Sequence, residues 1–191
     1  MNYVLIGLLC LISTACGINH AQIAVHDLGL PMAVDGFNPS PKINIRVEAP
    51  EWLQDNRIRY RLLYASPTQV RFYSLDRWIA MPSQLFEQQL LASVKPASGQ
   101  KGIAHPTPLI IRLLEFEQQF NAPDKAKVVL GFSIEAYAAD NKTVISTQIM
   151  RLEQLSLTPD AKGAVNGLAR LTQQAVDKIG LFNSIGQSKK Q

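Results

Sequence analysis

Apolar residues along this chain form one short continuous run, then a long stretch of alternation, then a helical stripe. The run is Val4 to Ile12, followed by Ser13-Thr14-Ala15 and Cys16. From Ile23 onward the pattern predicts a series of strands. Ile23 to Leu28 reads as a first strand that ends at Gly29. Residues 31–42, with Pro31, Gly36, Pro39 and Pro41, predict an irregular connection. Ile43, Ile45 and Val47 then alternate with Asn44, Arg46 and Glu48, the period of a half-buried strand. Pro50-Glu51-Trp52-Leu53 predicts one helical turn led by proline. Ile58, Tyr60, Leu62 and Tyr64 share one face of the next strand, and Arg57, Arg59 and Arg61 share the other. A turn at Pro67-Thr68 and a return strand from Gln69 to Tyr73 complete a predicted hairpin.

Phe86, Leu90 and Val94 lie four apart, so a helix is expected from Pro82 to about Val94. Lys95 to Pro108 reads as a Pro-, Gly- and Ser-rich loop. Leu109, Ile111 and Leu113 share one parity, whereas Leu114, Phe116 and Phe120 share the other, which predicts a bulge near 113–114. A turn at 121–124 leads to an alternating strand from Val128 to Ala138, and Asp140-Asn141 turns the chain into a last strand over 143–157. Thr158, with Pro159 behind it, is the expected cap of a closing helix whose stripe is Val165, Leu168, Leu171, Ala175, Ile179 and Phe182. Gly163 and Gly167 weaken its first turns by about 1 kcal/mol each relative to Ala. The order predicts an α+β single domain: a mainly antiparallel sheet with two long amphipathic helices covering one face.

The opening run is too short to span a bilayer, which needs about 20 apolar residues. A short apolar core, small residues and then a cysteine resemble the lipobox of bacterial lipoproteins. The expected organisation is a signal peptide at 1–15, a lipidated tether at 16–22 beginning with Cys16, a domain at 23–185 and a polar tail at 186–191. By analogy with the sorting rule of enteric bacteria, Gly17 after the cysteine favours the outer membrane.

Composition narrows the function classes. The formal net charge is +4 with no long basic run, which argues against nucleic acid as a partner. The two cysteines are Cys10, inside the signal, and Cys16, so neither thiol catalysis, a disulfide nor a Cys-based zinc site is expected in the domain. His20, His26 and His105 are not spaced as metal ligands, and no nucleophile elbow or phosphate-cradling glycine loop occurs. No enzyme, cofactor or metal is expected. Glu115 and Glu117 lie on one strand face; the choice is between acid–base chemistry and pairing with arginines across the sheet, and pairing is favoured. Arg57, Arg59 and Arg61, with Arg46 and Arg71 nearby, offer a basic face for an anionic partner, unless Glu48, Glu115, Glu117 and Glu135 neutralise it. Trp78 offers an interface anchor or, as the favoured reading, a side chain packed under the helix that follows it. Arg57, Arg59, Arg61 and Trp78 are therefore the candidate partner-binding residues.

Tyr60 to Leu91 holds a hairpin ending in Phe72-Tyr73, then Arg77-Trp78, then a helix led by Pro82. This stretch resembles the ABC-type transport auxiliary lipoproteins, the family of the outer-membrane component of the paraquat-inducible transport system. Leu113 to Phe120, the strand end at Asp27-Leu28-Gly29 and the closing helix continue the resemblance over most of the domain. It implies a non-enzymatic accessory of an intermembrane lipid transport system of the mammalian-cell-entry type. Such a protein is held on the periplasmic face of the outer membrane by its lipid anchor, docks a periplasmic transport protein of that type, and is open to homo-oligomerisation. Only Cys16 carries over as a functional residue. The alternative is an envelope lipoprotein that scaffolds or activates a cell-wall synthase, and a third is a carrier with a lipid cavity of its own.

Overall fold

The computed structural model describes residues 21–31, 43–93, 107–138, 140 and 142–188. The element order is β1 (Ala24–His26), β2 (Ile43–Glu48), a 3₁₀ turn (Glu51–Leu53), β3 (Arg57–Leu62), β4 (Ser66–Trp78), α1 (Pro82–Ser93), β5 (Thr107–Ala122), β6 (Lys125–Tyr137), β7 (Val144–Leu155) and α2 (Ala161–Ser188). All seven strands join one sheet in the order β1-β4-β3-β5-β6-β7, with β2 beside β5 as well. The edge of β5 away from β6 is shared. β2 lies along Thr107 to Arg112 and β3 along Gln118 to Phe120, both parallel to β5.

The α+β class holds, and the long ladders β3–β4, β5–β6 and β6–β7 are antiparallel. The expected antiparallel character is incomplete, because β1–β4, β2–β5 and β3–β5 are parallel. Each parallel pair joins strands separated by a long connection. Tight turns force antiparallel pairing only between neighbours in sequence.

Alternation decides which side of each strand is buried. Ile45, Val47, Ile58, Leu109, Ile111, Leu113, Phe116, Val128, Leu130, Phe132 and Ile134 build the core under α1 and α2. The parity change in β5 is a bulge: the ladder skips Leu114 between Leu113 and Glu115, as the apolar pattern predicts. Below the sheet, α1 contributes Leu85, Phe86 and Leu90, and Phe86 meets Phe132 edge-on at 5.8 Å. Pro82 leads α1 as expected. Gln84 caps it in reverse, its Oε1 accepting the Met81 N–H at 3.2 Å. α1 also guards the outer edge of β2, where Glu87 Oε2 accepts the Val47 N–H at 3.0 Å.

Three boundaries differ from expectation. The first hairpin turns at residues 63–65, not at Pro67-Thr68, and Ala65 N–H closes it onto Leu62 O at 3.1 Å. Pro67 is tolerated inside β4 because residues 67–70 fall in a register shift between Leu62↔Ser66 and Tyr60↔Arg71, outside the ladder. α2 is capped by Asp160 rather than Thr158. Its Oδ1 accepts the Gly163 N–H at 2.8 Å, and the Thr158 hydroxyl donates to the same oxygen at 2.6 Å. Those two bonds hold the Asp160 carboxyl below its usual range. Finally, α2 runs on to Ser188, past residue 185 where a polar tail was expected.

Gly163 and Gly167, in the first turns of α2, have a packing role. A Cβ on Gly167 would lie 2.6 Å from Val128 Cγ2, and one on Gly163 would lie 1.9 Å from the Thr158 carbonyl oxygen. Their low helix propensity is offset by the close approach of the helix to the sheet at Gly167 and to the entering chain at Gly163.

At the β6–β7 turn, Asp140 Oδ1 accepts the N–H groups of Lys142 and Thr143 at 2.9 Å each, and Oδ2 accepts the Thr143 hydroxyl at 2.6 Å. The Thr143 hydroxyl, followed by these amides, depresses the carboxyl to about 2. A folded value below the unfolded one, near 3.9, means that the turn's stabilisation is complete above about pH 4 and is lost as pH falls towards 2. A ¹³C NMR titration of the Asp140 carboxyl is expected to give a midpoint near 2, and Thr143→Val is expected to raise it.

Candidate functional site

The three arginines of β3 do share one face, the face away from the helices, but each has a different environment. Arg57 is exposed. It pairs with Asp55 at 2.7 Å and stacks on the Phe72 ring at 3.6 Å. The neighbouring guanidinium also helps hold the Asp55 carboxyl low against the opposing effect of burial. Arg59 is only 6% exposed. Its guanidinium lies between Trp52 and Phe72, 5.1 and 5.4 Å from their ring centroids, and it donates through Nη1 to the Trp52 carbonyl. Burial lowers its pKa, and its Nε has no partner among the described residues. Arg61 donates from Nε to both oxygens of Glu117, at 2.8 and 2.9 Å.

Over β5, β6 and β7 the helix-free face of the sheet is closed by its own charges. Glu117 takes a further bond from Gln119 at 2.9 Å. Arg151 on β7 bridges Glu115 at 2.7 Å and Glu153 at 2.6 Å, and Lys127 joins Glu153 at 2.8 Å. Towards the other end of the face, Arg112 pairs with Glu135 and, at 3.3 Å, with Glu48. Tyr137 and Arg112 together depress the Glu135 carboxyl. These long side chains bury Val129 and Ser133 on the central strand β6. A Cβ on Gly131 would lie 3.0 Å from Glu115 Oε2, so a larger residue there would have to displace the Glu115 side chain. Glu115 and Glu117 thus pair with Arg151 and Arg61, as expected, and do not form a two-carboxylate site.

Two candidate partner-binding residues are corrected by their burial. Trp78 is 1% exposed and packs against Phe116 at 5.6 Å, so it is a core residue beneath the sheet's β4 end. Arg59 is sandwiched between two aromatic side chains and cannot meet a partner without opening that stack. Arg61 is largely committed to Glu117. Arg57 remains at the surface. His20, His105 and Cys16 lie outside the described residues. His26 bonds Asp76 at 2.7 Å across the β1–β4 pair, and among the described residues no hydroxyl joins that pair. The described residues contain no cluster of three metal-ligating side chains and no helix long and apolar enough to cross a membrane.

A polar cluster that the alternation pattern does not announce lies inside the core. Gln118 is fully buried and faces the helices. It accepts from the Tyr73 hydroxyl, and its Nε2 donates to Ser156 Oγ at 2.7 Å and to Thr158 O at 3.3 Å. Burial raises the Tyr73 phenol well above its usual value, which keeps it a donor. The cluster ties β4 and β5 to the chain that enters α2.

The exposed surface that the sequence does not anticipate is the β1–β4 ribbon. Val25 lies beside Arg77 in register, and alternation places Leu75 and Ile79 with them, while His26, Asp76 and Trp78 face the other way. Val25, Leu75 and Ile79 are 59%, 46% and 65% exposed, and Ile23 at the start of the ribbon is 42% exposed. Arg57 is opposite Arg77 and extends this surface with positive charge. The result is an apolar strip edged by arginines, at the point where the chain enters the domain.

No family model matches the chain, and no curated protein matches it. Solved structures do. The chain superposes on a DUF330-family protein of Xanthomonas campestris with a TM-score of 0.73 at 12% identity, over 87% of this chain and 99% of that one. An uncharacterised protein gives a TM-score of 0.62 at 17% identity, over 83% and 97%. At such identities the likeness is one of fold: this domain has the architecture of the Xanthomonas DUF330 protein across nearly the whole of both chains.

Proposed function

We propose that this chain is a non-enzymatic lipoprotein accessory of an ABC-type, mammalian-cell-entry intermembrane lipid transport system. Cys16 anchors it to the outer membrane facing the periplasm, and the domain docks a periplasmic transport protein. The observation that carries the reading is the β1–β4 surface. Exposed Ile23, Val25, Leu75 and Ile79 stand beside Arg57 and Arg77, immediately after the tether that Cys16 begins. Large exposed apolar side chains grouped with arginine are the composition of a protein-docking patch. The rest of the helix-free face, over β5, β6 and β7, supports the same choice of surface, because its charges are largely spent on one another.

Anchoring is tested by fractionating cells that carry the full chain or Cys16→Ser. The native chain is expected in the outer-membrane fraction and the variant in the periplasm. A Cys16→Ser chain that still sediments with the outer membrane would refute the lipid anchor. Docking is tested by purification from detergent-solubilised envelopes. The native chain should retain a mammalian-cell-entry-type partner, and Val25→Asp with Ile79→Asp should lose it while melting at the native temperature. Equal recovery with both chains would move the contact elsewhere.

A further inference from the structure

Among the described residues, β7 is a sheet edge of 12 residues, Val144 to Leu155, with β6 as its one strand partner. Edge strands are usually blunted by shortness, proline, lysine or a bulge, because unpaired N–H and C=O groups recruit other strands. The opposite edge obeys that rule, since β1 has 3 residues. β7 does so only at its start, where the register against β6 shifts at Ile145. Its sequence VISTQIMRLEQL has no Pro, Lys or Gly, and from Ser146 to Leu155 its register is unbroken. The Ser156 N–H bonds to Ala126 O, in register with the ladder. By antiparallel alternation the even-numbered residues of β7 are then bonded to β6, and the odd-numbered ones turn their backbone groups outward. Those odd residues include Ile149 and Leu155, which are 72% and 79% exposed, and Leu157 beyond them is 70% exposed.

We infer that β7 pairs antiparallel with β7 of a second copy of this chain, about a two-fold axis at Leu152. The occupant follows from self-complementarity in charge and shape. In this register Arg151 stands opposite Glu153 of the second copy, and Glu153 opposite its Arg151. Ile149 stands opposite Leu155, and Leu155 opposite Ile149. Each of these is an outward-bonding position, so the backbone ladder and the side-chain pairs form together. A slip of two residues would set arginine or glutamate against an apolar side chain. The pairing extends one sheet across two domains and leaves the β1–β4 surface of each free, so it is independent of the docking reading above.

The test uses the full chain in detergent-solubilised envelopes, carrying two different affinity tags. The native chain should co-purify with itself. Arg151→Glu places glutamate against glutamate across the axis, and Glu153→Arg places arginine against arginine. Each variant alone should lose self-association by about tenfold or more. Co-expression of the two restores Glu–Arg pairing at both positions, and the mixed pair should recover to near the native level. Self-association that survives in each variant alone, or is absent in the native chain, overturns the proposal. So does recovery of a different protein's strand on β7. As a second readout, Ile149→Cys and Leu155→Cys expressed together should give a disulfide-linked dimer that neither gives alone. A dimer from either variant alone would contradict the register.

Discussion

Arg61→Met is expected to destabilise the domain by about 3 kcal/mol or more, the cost of leaving one member of a buried ion pair without its counter-charge. Glu117 is 5% exposed and receives both of its bidentate bonds from Arg61. With Arg61 gone, Gln119 is the remaining partner shown for that carboxylate. Arg61→Met with Glu117→Leu removes both charges and should recover most of the loss, because a well-packed apolar pair can match a buried ion pair. Denaturant unfolding of the two single variants and the double variant closes the cycle. A mild loss in Arg61→Met, within the range of a surface pair at about 0–1 kcal/mol, would mean that the charged face is open to solvent and available to partners.

Trp78→Ala should cost about 3–5 kcal/mol, the range for removing a fully buried aromatic side chain. Trp78 is 1% exposed, touches Phe116 and sits where β4 gives way to α1. Its backbone is fixed as well, the Trp78 N–H bonding Asn56 O at 2.8 Å. An anchor at a partner interface would behave differently, weakening binding while leaving the melting temperature of the isolated chain nearly unchanged. Thermal unfolding of the variant separates the two roles, and the structure predicts the large loss of stability.

Much of the fold is legible because its strands are buried on one side. Leu130, Phe132 and Ile134 alternate with Gly131, Ser133 and Glu135 in sequence and, with Val128, are buried in the core in the structure. The bulge at Leu114 is readable for the same reason, since one extra residue must flip every later side chain. Parallel pairing is not legible: the partner of β2 or β3 is set by packing across long connections, and periodicity within a strand carries no trace of it. The face shared by Arg57, Arg59 and Arg61 is also readable. Their fates are not, because Asp55, Trp52, Phe72 and Glu117 come from other turns and strands. The exposed β1–β4 surface escapes a pattern reading altogether. Val25 and Leu75 look like core residues of ordinary strands, and only the position of β1 at the sheet's edge leaves them uncovered.

That surface carries the functional account. A photo-reactive amino acid placed at Val25 of the full, membrane-bound chain reports directly on what it touches. A crosslink to a periplasmic protein of the mammalian-cell-entry type is expected, lost when Ile79 is replaced by Asp. A crosslink to a cell-wall synthase, or to no protein at all in cells that make the complete transport system, would contradict it.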